Sequence, residues 1–425
     1  MADTRHHVVI LGGGFGGLAA ARALARKAVR VTLVDRRNHH VFQPLLYQVA
    51  TAGLSAPDIA APIRRIVQRH PNVDVVLAEA RTIDVEARTV VLADGAIAYD
   101  SLIVATGATH SYFGHDAWSE HAPGLKTLED ALLIRKRVLL AFEKADRETD
   151  ETRRRQWLTF VVIGAGPTGV EMAGTLAEIA RHTLREDFRH IDPGTARVVL
   201  IEAADRVLPP YTPDLSAKAQ KQLERLGVEV RTNTRVTDVD GDGVWLGDQR
   251  LAARTVVWAA GVAASPLGRA LGAPVDRAGR VPVQPDLTLP GHPEVYVVGD
   301  LVTLQQDGRP VPGVAPAAMQ MGRHAARNVL RVLAGRDRLP FRYVDKGSLA
   351  TIGRKAGVAM FGRIHMSGFL AWVAWLAIHI FFLIGFRNRL VVMTDWAWSY
   401  FTHQRFARLI LEVEPEGPSR GGGST

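Results

Sequence analysis

The chain has 425 residues, of which 47% are hydrophobic and 22% charged, and its 52 basic against 43 acidic residues give a net charge of +9. A chain of this length exceeds what one hydrophobic core usually covers, so we expect more than one domain. The sequence contains no cysteine, which excludes disulfides, cysteine-ligated iron–sulfur clusters, thiolate zinc sites and dithiol redox pairs. The basic excess is compatible with a nucleic-acid partner, an anionic membrane surface or simply a high arginine content. The absence of an arginine cluster interleaved with aromatic residues argues against nucleic acid.

A strand, a glycine-rich turn and a helix occur twice along the chain. The first copy reads HVVIL, GGGFGG and LAAARALARKA, and its next strand ends on Asp35. The second copy, LTFVVIGAGPTGVEMAGTLAEIA, covers 158–180, and its next strand ends on Glu202. Each copy is followed by another apolar strand with a small-residue turn, DSLIVATGA at 100–108 and ARTVVWAAGV at 253–262. This alternation predicts an α/β fold with doubly wound parallel sheets.

Both copies carry the GxGxxG spacing of a dinucleotide-binding loop. The first glycine permits a tight turn, the second lets the backbone approach a pyrophosphate, and the third lets helix and strand pack closely. Asp35 and Glu202 stand where a carboxylate can accept hydrogen bonds from ribose hydroxyls. Two such sites indicate an oxidoreductase that uses a flavin and a nicotinamide. A carboxylate at Glu202 would repel a 2′-phosphate and favours NADH over NADPH, although Arg206 lies nearby. The loop glycines are Gly12, Gly14 and Gly17, then Gly164, Gly166 and Gly169.

Several motifs carry a resemblance to a known family. The turn from Ala105 to Gly107 and the late pair Gly299 and Asp300 resemble the two-dinucleotide flavoprotein disulfide reductase superfamily. Within it, the chain is more closely similar to the type II NADH:quinone oxidoreductases, the single-subunit NADH dehydrogenases of respiratory membranes. That similarity rests on HHVFQPLLYQVATAGL (39–54), GPTGVEMAG (166–174), VVWAAGV (256–262), DKGSLATIGR (345–354) and FFLIGFRNRL (381–390).

The resemblance implies two Rossmann-like dinucleotide-binding domains with three-layer parallel sheets, plus a C-terminal helical membrane-anchoring domain. It also implies a peripheral, monotopic enzyme on the cytoplasmic face of the cytoplasmic (inner) membrane, with a homodimer possible. A terminal stretch rich in Gly, Pro and charge has no means of building a core and should be disordered. The expected boundaries are 5–125 and 285–345 for the FAD-binding domain, 126–284 for the NADH-binding domain, 346–412 for the membrane-associated domain and 413–425 for the tail.

The resemblance assigns cofactor contacts residue by residue. Non-covalent FAD would lie on the first loop and NADH, the electron donor, on the second. The expected FAD-binding residues are Gly12, Gly14, Phe15, Gly16, Gly17, Asp35, Arg36, Gln43, Ala80, Thr106, Gly107, Asp300, Ala317 and Ala318. The expected NADH-binding residues are Gly164, Gly166, Pro167, Thr168, Gly169, Glu202, Ala260 and Gly261.

Without cysteines, the reaction we expect is hydride transfer from NADH to the flavin and then two-electron reduction of a membrane quinone, without proton pumping. Glu171 is a candidate proton donor, and a helix-dipole or structural role is the alternative. Gln320 is the second candidate catalytic residue; it lies in APAAMQM (315–321), where Pro316 and Met321 replace glutamines that the family often carries. The expected quinone site consists of Pro44, Tyr47 and Gln320. His39 and His40 have no carboxylate cluster beside them, so a structural or flavin-flanking role is favoured and no metal site is expected.

The stretch GFLAWVAWLAIHIFFLIGF (368–386) belongs to an uncharged segment that begins at Ile364. A helix of about twenty residues would be about 30 Å long, enough to cross a hydrocarbon core. Burial in the protein, a transmembrane span and a helix lying in one leaflet all remain open, and the last is favoured by aromatic residues and arginines suited to the interface. These are Trp372, Trp375, Trp396, Trp398 and Tyr400, with Arg387, Arg389, Arg405 and Arg408.

Two other functions share both loops and need no cysteine. One is a soluble NAD(P)H-dependent ferredoxin or rubredoxin reductase, against which the apolar tail argues. The other is a flavin-binding interaction protein of the apoptosis-inducing-factor type, in which redox state controls partner binding. The sequence does not distinguish ubiquinone from menaquinone as the acceptor.

Overall fold

The computed structural model describes residues 4–402 and 407–411. The chain divides into two compact units, each assembled from separate stretches. The first unit contains Met1–His40, Ala60–Thr109 and Val262–Lys346, and the second contains Val41–Ile59, His110–Gly261 and Gly347–Thr425. The expected disordered tail, 413–425, and Arg405 lie outside the described residues.

A mostly parallel sheet forms the centre of the first unit. Its edge pair is antiparallel and all its other neighbouring strands are parallel. The β-branched run HVVIL is buried at every position, as expected for a strand with layers on both faces. The strands lie in the order Thr288–Leu289, His292–Val297, Ser101–Val104, His7–Leu11, Arg30–Asp35 and Val73–Leu77.

Two helices of the first unit, Phe15–Leu24 and Ala315–Leu333, pack closely against each other. A Cβ at Gly322 would lie 2.0 Å from the carbonyl oxygen of Gly16, so only glycine permits this approach. The unit also contains the helix Ile63–Val67 and an antiparallel sheet of the strands Ala80–Asp84, Thr89–Leu92 and Gly95–Ala98.

The second unit repeats the plan around a parallel sheet. Its strands lie in the order Val228–Arg231, Arg197–Ile201, Thr159–Ile163 and Thr255–Trp258. An antiparallel sheet of Asp238–Asp240, Gly243–Leu246 and Gln249–Ala252 adjoins it in sequence. Its helices ahead of residue 347 are Leu46–Ala50, Ala56–Ile59, Leu128–Arg147, Glu151–Trp157, Pro167–Glu178 and Pro213–Arg225.

The C-terminal part of the second unit begins with the antiparallel strands Ser348–Gly353, Ala356–Phe361 and Ile364–Ser367. Two helices follow, Phe369–Phe382 and Phe386–Thr402, which we call the first and second tail helices. The two helices are consecutive in the chain and contact each other, as in a helical hairpin.

The expectation of one helix of about twenty residues over 364–386 is wrong. Residues Ile364–Ser367 pair with the preceding strand, and Gly368 and Gly385, at φ +73° and +91°, stand at the two interruptions. The first tail helix has 14 residues and is therefore about 21 Å long. Within residues 4–402 and 407–411, no helix combines the length and the apolar character needed to cross a membrane.

Candidate active site

The first glycine loop is held by its own backbone and by Asp35. Gly12 has φ +99° and its N–H donates to Val34 at 2.8 Å. The Asp35 carboxylate accepts the N–H of Gly13 at 2.6 Å and that of Arg37 at 2.7 Å. A Cβ at Gly17 would lie 1.8 Å from the Gly12 oxygen, which explains why glycine is needed there.

The second glycine loop has the same construction. Gly164 also has φ +99°, and its N–H donates to Ile201 at 2.7 Å. The Glu202 carboxylate accepts the N–H of Ala165 at 2.6 Å and that of Ala204 at 2.8 Å. A Cβ at Gly169 would again lie 1.8 Å from the first glycine's oxygen. Both acids therefore shape the loops and retain lone pairs on their carboxylate oxygens for further donors.

Both loops fit a dinucleotide. Gly14 and Gly166 precede their helices, and a Cβ at either would meet no atom within 4 Å, so each loop opens onto free space at a helix N-terminus. Thr106 follows the neighbouring strand Ser101–Val104, and its buried hydroxyl has no hydrogen-bond partner among the described residues. Open space, helix N–H groups and an unused buried hydroxyl are the features that a bound pyrophosphate and ribityl chain require.

The remaining expected FAD residues of the first unit line the same edge of its sheet. Asp300 follows the strand His292–Val297, and Gly107 follows Ser101–Val104, which is its parallel neighbour. Arg36 lies 4.0 Å from Glu79, next to Ala80, and the N–H of Ala78 donates to the backbone oxygen of Asp35 at 3.0 Å.

Close packing brings Gly16 and the start of the helix Ala315–Leu333 together. A Cβ at Gly16 would lie 3.3 Å from the oxygen of Ala318, and Ala317 and Ala318 are both buried. The expected backbone contacts at these alanines therefore lie beside the first loop.

His40, for which the sequence favours a structural or flavin-flanking role, lies beside the first glycine loop. Its Nδ1 lies 2.9 Å from the Gly13 oxygen, and its ring lies edge-on to Phe15 at 5.0 Å between centroids. Burial lowers the pKa of His40, so the ring is neutral and Nδ1–H donates to the loop. His40 therefore supports the first glycine loop, a contact that the periodicity of apolar residues in the sequence does not predict. No cluster of three or more potential metal ligands occurs within the described ranges.

Gln320 uses its amide within the first unit. Its Nε2 donates to the oxygen of Val344 at 2.9 Å, and its Oε1 accepts the N–H of Val344 at 2.9 Å. This pair of bonds fixes the side chain and leaves one N–H and one lone pair for any other partner. In this structure Gln320 therefore has a structural role, because it holds the backbone at Val344 through two hydrogen bonds.

Glu171 is buried in the helix Pro167–Glu178 of the second unit. Its Oε1 accepts a long hydrogen bond, 3.4 Å, from the N–H of Thr351. Burial raises the pKa of Glu171 to about 8, while the Thr351 N–H and the indole of Trp375 favour the ionised form. The carboxyl is consequently protonated at neutral pH, as a general acid must be.

The expected quinone residues of the second unit lie on a short helical segment. Pro44 is in the turn Gln43–Leu45, where Gln43 is exposed and donates to the oxygen of Lys126 at 3.3 Å. Tyr47 is buried, and its hydroxyl accepts the Nε2 of Gln48 at 2.9 Å. Its ring lies 6.4 Å from that of Trp375 on the first tail helix, a contact that no local sequence signal could reveal.

The expected NADH turn follows the strand Thr255–Trp258. A Cβ at Gly164 would lie 2.5 Å from Ala260, so this turn lies against the second glycine loop. Gly261 packs on the ring of Phe113, which is 68% exposed and has φ +53°. Pro167, exposed, and Thr168, half-buried, begin the helix after the loop.

Comparison with known proteins agrees with this geometry. The pyridine nucleotide-disulphide oxidoreductase family model matches residues 6–322, and the NDH2 C-terminal domain model matches 346–404. The chain is 49% identical to the type II NADH:quinone oxidoreductase NdhA of Mycobacterium tuberculosis over 96% of this chain and 92% of that protein. It is 31% identical to the type II NADH:quinone oxidoreductase of Staphylococcus aureus over 85% of this chain and 92% of that protein.

Among solved structures, NDH2 of Plasmodium falciparum in complex with NADH matches with a TM-score of 0.87, 21% identity and coverage of 96% of this chain and 100% of that one. At this identity the match establishes the fold, an α/β FAD- and NAD-binding oxidoreductase fold with a C-terminal domain.

The fold and the paired loops define a two-dinucleotide flavoprotein oxidoreductase. The chain belongs to the type II NADH:quinone oxidoreductase family. The resemblance predicted from the sequence is confirmed, and with it FAD as cofactor and NADH as donor.

Proposed function

We propose that this protein oxidises NADH and reduces a membrane quinone without proton pumping. Bound FAD would supply the redox chemistry, accepting a hydride from NADH and passing two electrons to the quinone. The observation that carries the proposal is the pair of matching dinucleotide loops in a family member without any cysteine. A thiol relay to a disulfide or sulfur substrate is chemically excluded.

The chain's own residues divide the work between the two loops. The loop from Gly12 to Gly17, with Asp35, Thr106 and Asp300, holds the flavin nucleotide, and the loop from Gly164 to Gly169, with Glu202, holds NADH. The other residues proposed for FAD are Arg36, Gln43, Ala80, Gly107, Ala317 and Ala318, and those for NADH are Pro167, Thr168, Ala260 and Gly261. The domain boundaries proposed are those expected from the sequence, 5–125, 126–284, 285–345 and 346–412.

Glu171 is the proposed proton donor to the quinone. Reduction of a quinone to a quinol consumes two protons, and a buried acid that is protonated at neutral pH can deliver one of them. Tyr47 and Pro44 would border the quinone, and Gln320 would contribute its remaining donor. Replacement Glu171→Gln should slow quinone reduction more than the half-reaction with NADH, as measured by stopped-flow absorbance of the flavin.

Membrane attachment through the tail helices is supported by their exposed apolar side chains. Leu370 and Phe381 are each 68% exposed, and Arg387 is exposed at the start of the second tail helix. Such side chains suit a helix that lies in one leaflet of an anionic bilayer. We place the enzyme at the cytoplasmic face of the inner membrane as a monotopic protein, able to form a homodimer.

Three residues expected at the membrane interface are instead buried in the protein or bonded to other residues of it. Trp375 is only 2% exposed, Trp396 donates to Gln48 at 2.7 Å, and Arg408 pairs with Asp187. The side chain of Tyr400 lies outside the described ones. The proposed lipid contacts are therefore carried by Leu370, Phe381 and their exposed neighbours.

A single preparation tests the function. The protein is purified from membranes, its absorbance spectrum is recorded, and oxidation of NADH and NADPH is followed with ubiquinone and menaquinone analogues. We expect a flavin spectrum and quinone-dependent oxidation with a preference for NADH. Colourless protein, or reduced protein that reacts with ferredoxin and with no quinone, would overturn the proposal.

A further inference from the structure

Trp375 is an unusual member of the tail. It lies on the first tail helix, whose other face is exposed and apolar, yet it is the largest side chain in the fully buried group. Its ring stacks on His379 at 4.2 Å and lies 5.4 Å from Trp396. The side chain is thus held on several sides, and its position is fixed.

The indole N–H of Trp375 has no hydrogen-bond partner of normal geometry among residues 4–402 and 407–411. It does approach the carboxyl of Glu171 closely enough to favour the ionised form of that group. A buried donor without a full partner is costly, so the position of this N–H calls for a structural or functional reason.

Other groups around Glu171 offer little charge. The N–H of Thr351 donates at 3.4 Å, and Tyr211 is a buried phenol whose own pKa is raised by burial and by the carboxylate. The Tyr47 ring lies 6.4 Å from that of Trp375, and burial lowers the pKa of His379 to about 4, so the imidazole is neutral at physiological pH. The indole N–H is consequently one of few dipoles able to steady the carboxylate.

We propose that Trp375 is a positioning residue for Glu171, and that its indole N–H steadies the carboxylate formed when the acid gives its proton to the quinone. In that step the O–H bond of Glu171 breaks, an O–H bond forms on the reduced quinone, and the electron pair stays on the carboxylate. This inference rests on the proposed function of Glu171. It gives the tail helix a share in proton delivery, in addition to any contact with lipid.

The test compares Trp375→Phe with Trp118→Phe in the full-length flavoenzyme. Trp118 is a matched control because it is also buried and its N–H also donates to a carboxylate, Asp238, at 2.9 Å. The Glu171 pKa is read from the carboxyl band in pH-difference infrared spectra, identified as the band missing in Glu171→Gln. The pH profile of quinone reduction is measured in parallel.

We expect Trp375→Phe to raise the Glu171 pKa by about half a pH unit, the scale of one modest hydrogen bond. Activity that needs the protonated acid is lost as pH rises through its pKa, so the alkaline limb should move upward equally. Trp118→Phe should move neither. Because Phe is smaller, a second variant replaces the indole by benzothiophene, which keeps the shape and removes only the N–H; it should give the same shift.

An unmoved infrared midpoint in the benzothiophene variant, or an equal shift in Trp118→Phe, would overturn the role of Trp375. An unchanged turnover and pH profile in Glu171→Gln would instead refute the proton role of Glu171 and, with it, the link to the quinone. The infrared midpoint separates these results because it does not depend on turnover.

Discussion

The two glycine loops are nearly identical in backbone geometry although only the glycines and a few neighbours recur in sequence. Gly12 and Gly164 share φ +99°, and a Cβ added to the third glycine of either loop would lie 1.8 Å from the first glycine's oxygen. In each loop one carboxylate accepts two backbone N–H groups. Sterics, backbone hydrogen bonds and one carboxylate therefore fix each dinucleotide loop almost independently of the other surrounding side chains.

The helices that follow the loops differ at one informative position. Two residues after the third glycine stands Ala19 in the first helix and Glu171 in the second. An alanine shows that the loop and helix form without a carboxyl there. The buried acid of the second helix is thus extra to the requirements of dinucleotide binding, and this difference within the repeat supports the proposed proton role of Glu171.

The largest effect expected from this comparison comes from the third glycines. Gly17→Ala and Gly169→Ala each force a methyl group into a carbonyl oxygen, which should lower the free energy of unfolding by about 3 kcal/mol or more. Gly17→Ala should also lose the flavin absorbance, whereas Gly169→Ala should keep the flavin and lose NADH-dependent reduction. Denaturant unfolding and flavin absorbance check both. If Gly169→Ala lost the flavin while Gly17→Ala kept it, the assignment of FAD to the first loop and NADH to the second would be contradicted.

Glu171 should make stability fall as pH rises. Its pKa is about 8 in the folded protein against an ordinary 4.5, so the folded state holds the proton over a range in which the unfolded state has released it. The contribution of Glu171 to stability is fully present below about pH 4.5 and is lost as the pH rises to about 8, by a few kcal/mol at most.

Glu171→Gln should remove that slope, so that its stability relative to the unchanged protein improves between about pH 5 and pH 8. Thermal unfolding at several pH values measures it. Ala19→Gln, at the matching position of the first helix, serves as the control and should leave the slope as it was. A slope that persists in Glu171→Gln would show that another group causes it.

Much of this comparison could be predicted from the sequence. Glycine spacing, β-branched strands and the terminal acids are local signals, and the structure confirms the loops and their strand–helix context at both sites. The stretch APAAMQMGRHAARNVLRVLAG (315–335), which ends on a glycine, likewise predicts a helix, and the structure has one over Ala315–Leu333.

The tail and the surroundings of Glu171 could not be predicted in the same way. Hydropathy cannot separate the strand Ile364–Ser367 from the apolar helix after it, because strand pairing with Ala356–Phe361 decides the outcome. The approach of Trp375 to Glu171 joins residues about two hundred positions apart and depends on tertiary packing.

Glu202 should determine part of the nicotinamide preference. Glu202→Gln keeps the size but removes the charge that would repel a 2′-phosphate, so the ratio of kcat/KM for NADH over NADPH should fall by about tenfold, or about 1.4 kcal/mol. Steady-state kinetics with both donors check this. Asp205→Asn is the matched control, because it removes an exposed carboxylate from the same strand end and should change the ratio much less. An unchanged ratio in Glu202→Gln would assign the preference elsewhere.

The smallest effect is expected at the middle glycines, and it separates packing from ligand binding. A Cβ at Gly166 meets nothing within 4 Å and its φ is −68°, so Gly166→Ala should change the free energy of unfolding by less than about 1 kcal/mol. The methyl group nevertheless occupies the space where a pyrophosphate would approach, so KM for NADH should rise several-fold while the flavin stays bound. Gly14→Ala should do the converse, weakening flavin retention with little loss of stability. If Gly166→Ala proved as destabilising as Gly169→Ala, the open space above the second loop would be a feature of folding, and its assignment to the pyrophosphate would fail.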